Sequence, residues 1–443
     1  MNNWLISNAR LINEGQILEG DLRICRGRIE QIGAGLKGRA RETQLDARGR
    51  YLMPGMIDGQ VHFREPGLTR QADMVSESRA AVAGGVTSYL DMPDTRPATT
   101  SARTLAEKFS RASGRSTANY SFYLGASRNN IDEIRRAAHS QACGVQVSMS
   151  GSDELLVEDL ETLATIFRDC PLPVAVHCED NTILAENLSA ARKRHGKSIP
   201  ARAHATIRSR EACLSASRQA VGLAREHGTR LHVLNLSTAG ELALFEPGPI
   251  ADKQITAEAC VSHLYFIEDD HDELGNLIKC NPSIKSDTDR RALRQALAGD
   301  RLDTIATGHA PHLLAEKTIG YLDAAAGMPL VQFALPVAWA LVASRMLRPE
   351  KLVEKLAHNP AQRFNIRDRG FLREGYHADL VLVDPNKRID INQQAILSKC
   401  SWSPLAGRRL PARVAATWVN GRLVWREGLL TGLVAGEPLS FQR

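Results

Sequence analysis

Five of the 13 histidines, His62, His177, His232, His309 and His312, stand at or just beyond the ends of short, β-branched apolar runs. Neutral imidazole is the commonest metal ligand and titrates near neutrality, so five such rings on one rim would make a metal or polar substrate pocket. One histidine in such a place is more often a structural hydrogen-bonding residue. Five together shift the reading toward chemistry.

Residues so far apart in the chain need a scaffold that gathers strand ends. Eight runs read as strands: 54–63, 85–92, 119–125, 144–150, 173–179, 230–237, 254–260 and 304–310. Segments of helical periodicity lie between most of them, including 71–83, 101–112, 130–140, 155–168, 209–227 and 287–298, with a longer pair over 328–357. This alternation predicts an α/β protein built on a (β/α)₈ barrel with insertions. In such barrels chemistry sits at the C-terminal strand ends, because the loops there can vary while the packed interior cannot.

The flanks read differently. Residues 3–53 and 370–443 alternate in short strand-like stretches separated by turn signals. Neither flank has enough strand to bury a sheet face alone, so both are expected to join in one small β-sandwich beside the barrel. The division expected is sandwich over 1–53, barrel over 54–366 and sandwich again over 367–443.

Composition sets the outer limits. The 443 residues are 43% apolar and 24% charged, with 33 Gly and 19 Pro scattered along the chain, which excludes disorder, collagen-like repeats and coiled coil. The net charge is +6, but basic and acidic residues are interspersed, so nucleic-acid binding has little support. Eight cysteines without a CxxC pair disfavour a zinc ribbon or a disulfide framework and suggest buried thiols in a reducing cytoplasm. No basic stretch followed by an apolar core opens the chain, so no secretory signal is expected, and the apolar run 333–343 is too short to span a bilayer.

The segments "PGMIDGQVHFREPGLT", "SRAAVAGGVTSYLDMPDTRP", "ITAEACVSHLYF", "KCNPSIK", "TGHAPHLLAEK", "GMPLVQFALP", "AHNPAQRFNI" and "GYHADLVLVDP" carry a resemblance. In order and spacing they resemble the dihydroorotases of the cyclic amidohydrolase superfamily. The resemblance implies an amidohydrolase barrel with a β-sandwich from both chain ends, in agreement with the pattern above. It also implies the reversible closure of N-carbamoyl-aspartate to dihydroorotate in pyrimidine biosynthesis, two Zn²⁺ ions bridged by hydroxide, and a strand-8 aspartate as proton shuttle. A metal in that role lowers the pKa of its bound water and polarises the ring carbonyl.

Matched position by position, three of the implied functions are substituted. The strand-1 motif Asp-x-His-x-His is Asp58, Gln60 and His62. The bridging ligand, commonly a carboxylated lysine or an aspartate, falls on Gln146, whose amide carries no charge. The strand-8 Asp-His-Ala-Pro-His becomes Gly308, His309, Ala310, Pro311 and His312, so the shuttle position has no side chain. His62, His177 and His232 remain, and three imidazoles could hold at most one Zn²⁺ after rearrangement, since their places suit two ions.

The resemblance assigns substrate binding to Arg64, Asn281, His312 and the position of Asp94, where the family has asparagine. A carboxylate at Asp94 would repel the carboxylate of dihydroorotate or occupy Arg64 in an ion pair. Asp58 is expected to orient His62, Cys178 to be buried in the barrel wall, and Lys285, Glu316 and Lys317 to be solvated loop residues. Arg208, in "HATIRSREAC", is given no catalytic role. Three functions stay open: a dihydroorotase of impaired activity, a cyclic amidohydrolase working with one metal, and an inactive homologue serving a structural or regulatory role, for instance beside aspartate carbamoyltransferase or an active dihydroorotase. A homo-oligomer is expected by analogy with related proteins and from the prevalence of symmetric assemblies.

Overall fold

The computed structural model describes residues 3–151 and 154–443. Its centre is a closed barrel of eight parallel strands, each run predicted above supplying one. They are Met56–Val61, Val86–Asp91, Asn119–Phe122 continued by Leu124–Gly125, Val145–Ser148, Val174–His177, Leu231–Val233, Ile255–Cys260 and Thr304–Ala306. Neighbouring strands pair in parallel around the ring. Closure between last and first runs through the Val61–His309 bridge, where the His62 amide donates to the His309 carbonyl at 2.7 Å.

The sixth and eighth strands are shorter than their apolar runs, and backbone geometry explains why. Asn235 (φ 46°) and Gly308 (φ 60°) lie in the left-handed region, which turns each chain out of the sheet and onto the rim. Helices cover the outside. Met74–Ala83 and Ala102–Ala112 start on reciprocal caps by Asp73 and Ser101, and the second presents Leu105, Phe109 and Ala112 to the core. A buried ion pair, Lys108 to Asp91 at 2.7 Å, joins that helix to the second strand.

The chain ends meet in one nine-stranded sheet. Tyr51–Pro54 pairs in parallel with Asn3–Asn13 on one side and antiparallel with Leu380–Asp384 on the other, so residues distant in sequence become neighbours. The sheet has its own core, in which Trp4 and Trp418 meet edge to face at 5.9 Å between centroids. Arg369, Asp379, Asn420 and Asn119 form a buried hydrogen-bonded network that fixes this sheet to the third barrel strand. Among the described residues no helix is long and apolar enough to cross a membrane.

Candidate functional site

The strand ends surround a cavity of about 340 Å³, the size range of a small-molecule site. Two ionic triads form opposite parts of its wall. In the first, Asp94 takes His62 Nδ1 on one oxygen at 2.7 Å and Arg64 Nη1 on the other at 3.0 Å. Burial alone would raise the Asp94 carboxyl, but His62 and Arg64 outweigh it and hold the group well below the usual range. Arg64 also donates to the Pro311 carbonyl at 3.1 Å and to His312 Nε2 at 2.9 Å. His312 Nε2 also lies 3.1 Å from the Ala326 carbonyl, and its Nδ1 is 3.4 Å from Glu316. Burial, then the Arg64 charge, pulls the His312 pKa down to about 3, which keeps the ring neutral.

The second triad is Arg208, Glu179 and His177. Both Arg208 and His177 reach the same Glu179 oxygen, His177 Nε2 at 2.9 Å. Glu179 is wholly buried, which by itself would raise its pKa; Arg208 and His177 reverse that and set it at about 2. The sequence reading missed this group, and Arg208 belongs to the pocket after all. The sequence signal was the Ile207–Arg208 pair, whose segment resembles the family's, 29 positions after Glu179.

Between the triads the lining is uncharged. Gln60, Gln146, Asn235 and Asn281 contribute carboxamides, and His263 a buried ring. His263 Nε2 faces the Pro282 carbonyl at 3.0 Å, so it carries the proton, and Nδ1 is a buried acceptor with no partner. Asn235 Oδ1 is likewise buried and unpartnered. Gly308 cannot be replaced simply: a Cβ built there would lie 2.8 Å from Cys260 Sγ, and that thiol in turn reaches Gln60 Oε1 at 3.3 Å. Gln60, Cys260 and Gly308 therefore fit one another as a set.

His62, His177 and His312, with Arg64, Asp94 and Asn281, do reach the cavity. His232 does not. It is fully buried within the barrel, with Nδ1 on Thr256 Oγ1 at 2.9 Å and Nε2 facing Glu258 at 3.5 Å, because its strand position lies a layer below the rim. Asn235, three residues further on, holds the rim place. His309 also turns away, accepting from the Leu330 and Val331 amides on Nδ1 with Nε2 2.9 Å from Glu77. Asp58 accepts from the Thr307 amide and hydroxyl and from the Gln60 amide, so it ties the barrel seam instead of orienting His62. Lys285 and Lys317 are buried, not solvated: Lys285 bonds Ser283, and Lys317 donates to the carbonyls of Lys279, Ala325 and Gly327. Glu316 caps its own turn and accepts from Gln71. Cys178 is buried, as expected.

Zinc needs three or four deprotonated donors converging at about 2.0–2.3 Å. Among the described residues no three His, Cys, Asp or Glu side chains are so grouped. His62 and His177 each give one ring nitrogen to a carboxylate, and His232 lies on another level of the barrel. The donor set does not fit the zinc that the resemblance implies, including a single ion on His62, His177 and His232.

A (β/α)₈ barrel carrying a sheet from both chain ends, with its cavity at the C-terminal strand ends, is the scaffold of the barrel hydrolases. The pattern of the amidohydrolase family matches residues 51–424. The chain is 33% identical over 427 residues to a dihydroorotase of Halobacterium salinarum, covering 94% of this chain and 96% of that one. It is 30% identical over 431 residues to an allantoinase of Bacillus velezensis, covering 96% and 94%. The L-hydantoinase structure from Arthrobacter aurescens superposes with a TM-score of 0.91 at 26% identity, over 99% of this chain and 100% of that one. The chain belongs to the amidohydrolase family.

Proposed function

We propose that this chain is a dihydroorotase-like protein that binds a small cyclic ureide, or its ring-opened carbamoyl acid, and hydrolyses it slowly or not at all. The observation that carries this reading is the replacement of charge at the cavity floor. Gln60, Gln146 and Gly308 stand where the resemblance puts a ligand, a bridging anion and a proton shuttle, while His62 and His177 are committed to Asp94 and Glu179. Losing one such group can be tuned around, because transition-state stabilisation is distributed; losing three removes the water activation and the proton transfer together.

The remaining lining suits binding. A cyclic ureide presents alternating N–H and C=O groups along its edge, and a carboxamide complements that pattern with one donor and one acceptor arm. Asn235 Oδ1 and His263 Nδ1 are buried acceptors without partners, which favours a ligand bearing N–H groups. Asn281 at the rim supplies a donor for a ring carboxylate, which reaches Arg64 only by displacing Asp94.

Calorimetric titration with dihydroorotate, N-carbamoyl-aspartate, allantoin and hydantoin, beside turnover assays with and without added Zn²⁺, tests the proposal. Saturable binding of at least one, with turnover at background and unmoved by zinc, is the expected result. Fast, chelator-sensitive hydrolysis would overturn it.

A further inference from the structure

The barrel has a second cavity at its opposite, N-terminal end, of about 520 Å³, where the loops entering the sixth and seventh strands meet the segment after the last barrel helix. Its lining holds five cations, Arg230, Lys253, Arg363, Arg369 and Arg373, against one acid, Asp368. Three of the cations have carboxylates of their own: Lys253 has Asp303 at 2.7 Å, Arg369 has Asp379, and Arg373 has Glu14. Asp368 itself is turned to Arg28 at 3.3 Å.

Arg230 and Arg363 are left over. Among the described residues neither has a carboxylate within ion-pair distance. Arg230 Nη2 donates only to neutral oxygens, the Arg363 carbonyl at 2.9 Å and Asn365 Oδ1 at 3.5 Å. Arg363 is 3% exposed, yet its Nη1 reaches just the Gln254 carbonyl at 3.3 Å, and Nε and Nη2 are buried with no partner. Such groups are costly to leave unmade, and the two guanidinium charges repel one another. Burial, then the Arg230 charge, pulls the Arg363 pKa down to about 9 against the weaker opposing charge of Asp303, and burial alone lowers Arg230.

We infer that this cavity is a second ligand site, distinct from the mouth cavity, for a multiply charged phosphoryl oxyanion held by Arg230 and Arg363 with Lys253 and Arg373 at its edge. Guanidinium pairs favour phosphate oxygens because the planar fork gives two parallel charge-assisted bonds. A monoanion would balance one of the two uncompensated charges, and a dianion both. The phosphoryl group could belong to a free inorganic anion or to the end of a nucleotide. The open, largely polar cavity admits either.

The test uses the full chain, titrated calorimetrically with inorganic phosphate, pyrophosphate and ADP at constant ionic strength, with melting temperature followed in parallel. Pyrophosphate or ADP is expected to bind and to raise the melting temperature, and Arg230→Gln to weaken binding at least tenfold with an unchanged circular dichroism spectrum. Arg230→Lys should keep part of the affinity, and Arg64→Gln in the mouth cavity should leave it intact. Preference for pyrophosphate over ADP would point to a free anion, and the reverse to a nucleotide. Unchanged binding by Arg230→Gln, loss of binding in Arg64→Gln, or no binding of any of the three at millimolar concentration would overturn the inference.

Discussion

Asp94→Asn separates the mouth cavity's two modes of recognition. In the native chain an anionic ligand that approaches Arg64 meets a carboxylate already bound there at 3.0 Å and held by His62 at 2.7 Å. Displacing one charge-assisted hydrogen bond costs about 1.5–3 kcal/mol. A ligand carboxylate brought to about 4 Å from Asp94 adds up to about 4 kcal/mol of repulsion at an effective dielectric near 20. Asparagine keeps the shape and one acceptor while removing the charge, so affinity for dihydroorotate should rise by about tenfold to a hundredfold, taking only the first of these terms. Dihydrouracil, the same ring without the carboxylate, never needs Arg64 and should change by less than about threefold. The two ligands are compared by calorimetry on both proteins, and the ratio of their affinities is the readout, which cancels any general loosening of the site. A ratio that stays constant, or moves toward the neutral ring, would refute the role given to the Arg64–Asp94 pair.

Three further outcomes follow from the same geometry. Restoring a carboxylate by Gly308→Asp should not restore hydrolysis: the left-handed backbone and the 2.8 Å approach to Cys260 should destabilise the chain by about 1–3 kcal/mol in urea unfolding, and zinc-dependent turnover appearing in this variant would contradict that. Asp91→Asn strands the buried Lys108 ammonium and should lower stability by about 3–5 kcal/mol, with Asp91→Asn/Lys108→Met recovering much of the loss; an Asp91→Asn protein as stable as wild type would argue against a charged pair. Burial pulls the Lys317 pKa down to about 7, against about 10.4 unfolded, so between those values the unfolded chain binds more protons and stability should rise with pH, while below 7 the full burial cost is present. Lys317→Met should flatten that rise by up to about 1.4 kcal/mol per pH unit between pH 7 and 9, and equal slopes in the two proteins would sink the assignment.

How much of this was legible beforehand varies by element. The eight barrel strands were readable because each is a short β-branched run bounded by turn signals, and tertiary packing only trims their ends. The trimming matters, however, since the runs 230–237 and 304–310 leave the sheet at Asn235 and Gly308, and those departures build the pocket. Helix Asn181–His195 has only Leu184 buried and almost no amphipathic signal. Its start is set by the Asp180 side chain capping Thr182 and Ile183, a local feature easily lost among ordinary polar residues.

The sequence by itself determined the alternation of strands and helices, the joining of the two flanks in β-structure beside the barrel, and the substitutions at Gln60, Gln146 and Gly308, because all three are properties of residue type and order; that the flanks form a single nine-stranded sheet is a finding of the tertiary structure. Only the tertiary structure decided how deep each side chain sits and which charges share a partner. His232 and Asn235 are three positions apart on one run, yet one is sealed in the barrel and the other faces the cavity, since depth along a tilted strand is fixed by where the neighbouring strands end. Glu179 found Arg208, and Arg230 and Arg363 were left without a carboxylate, because Coulombic pairing depends on distances that the fold sets and the order of residues does not encode.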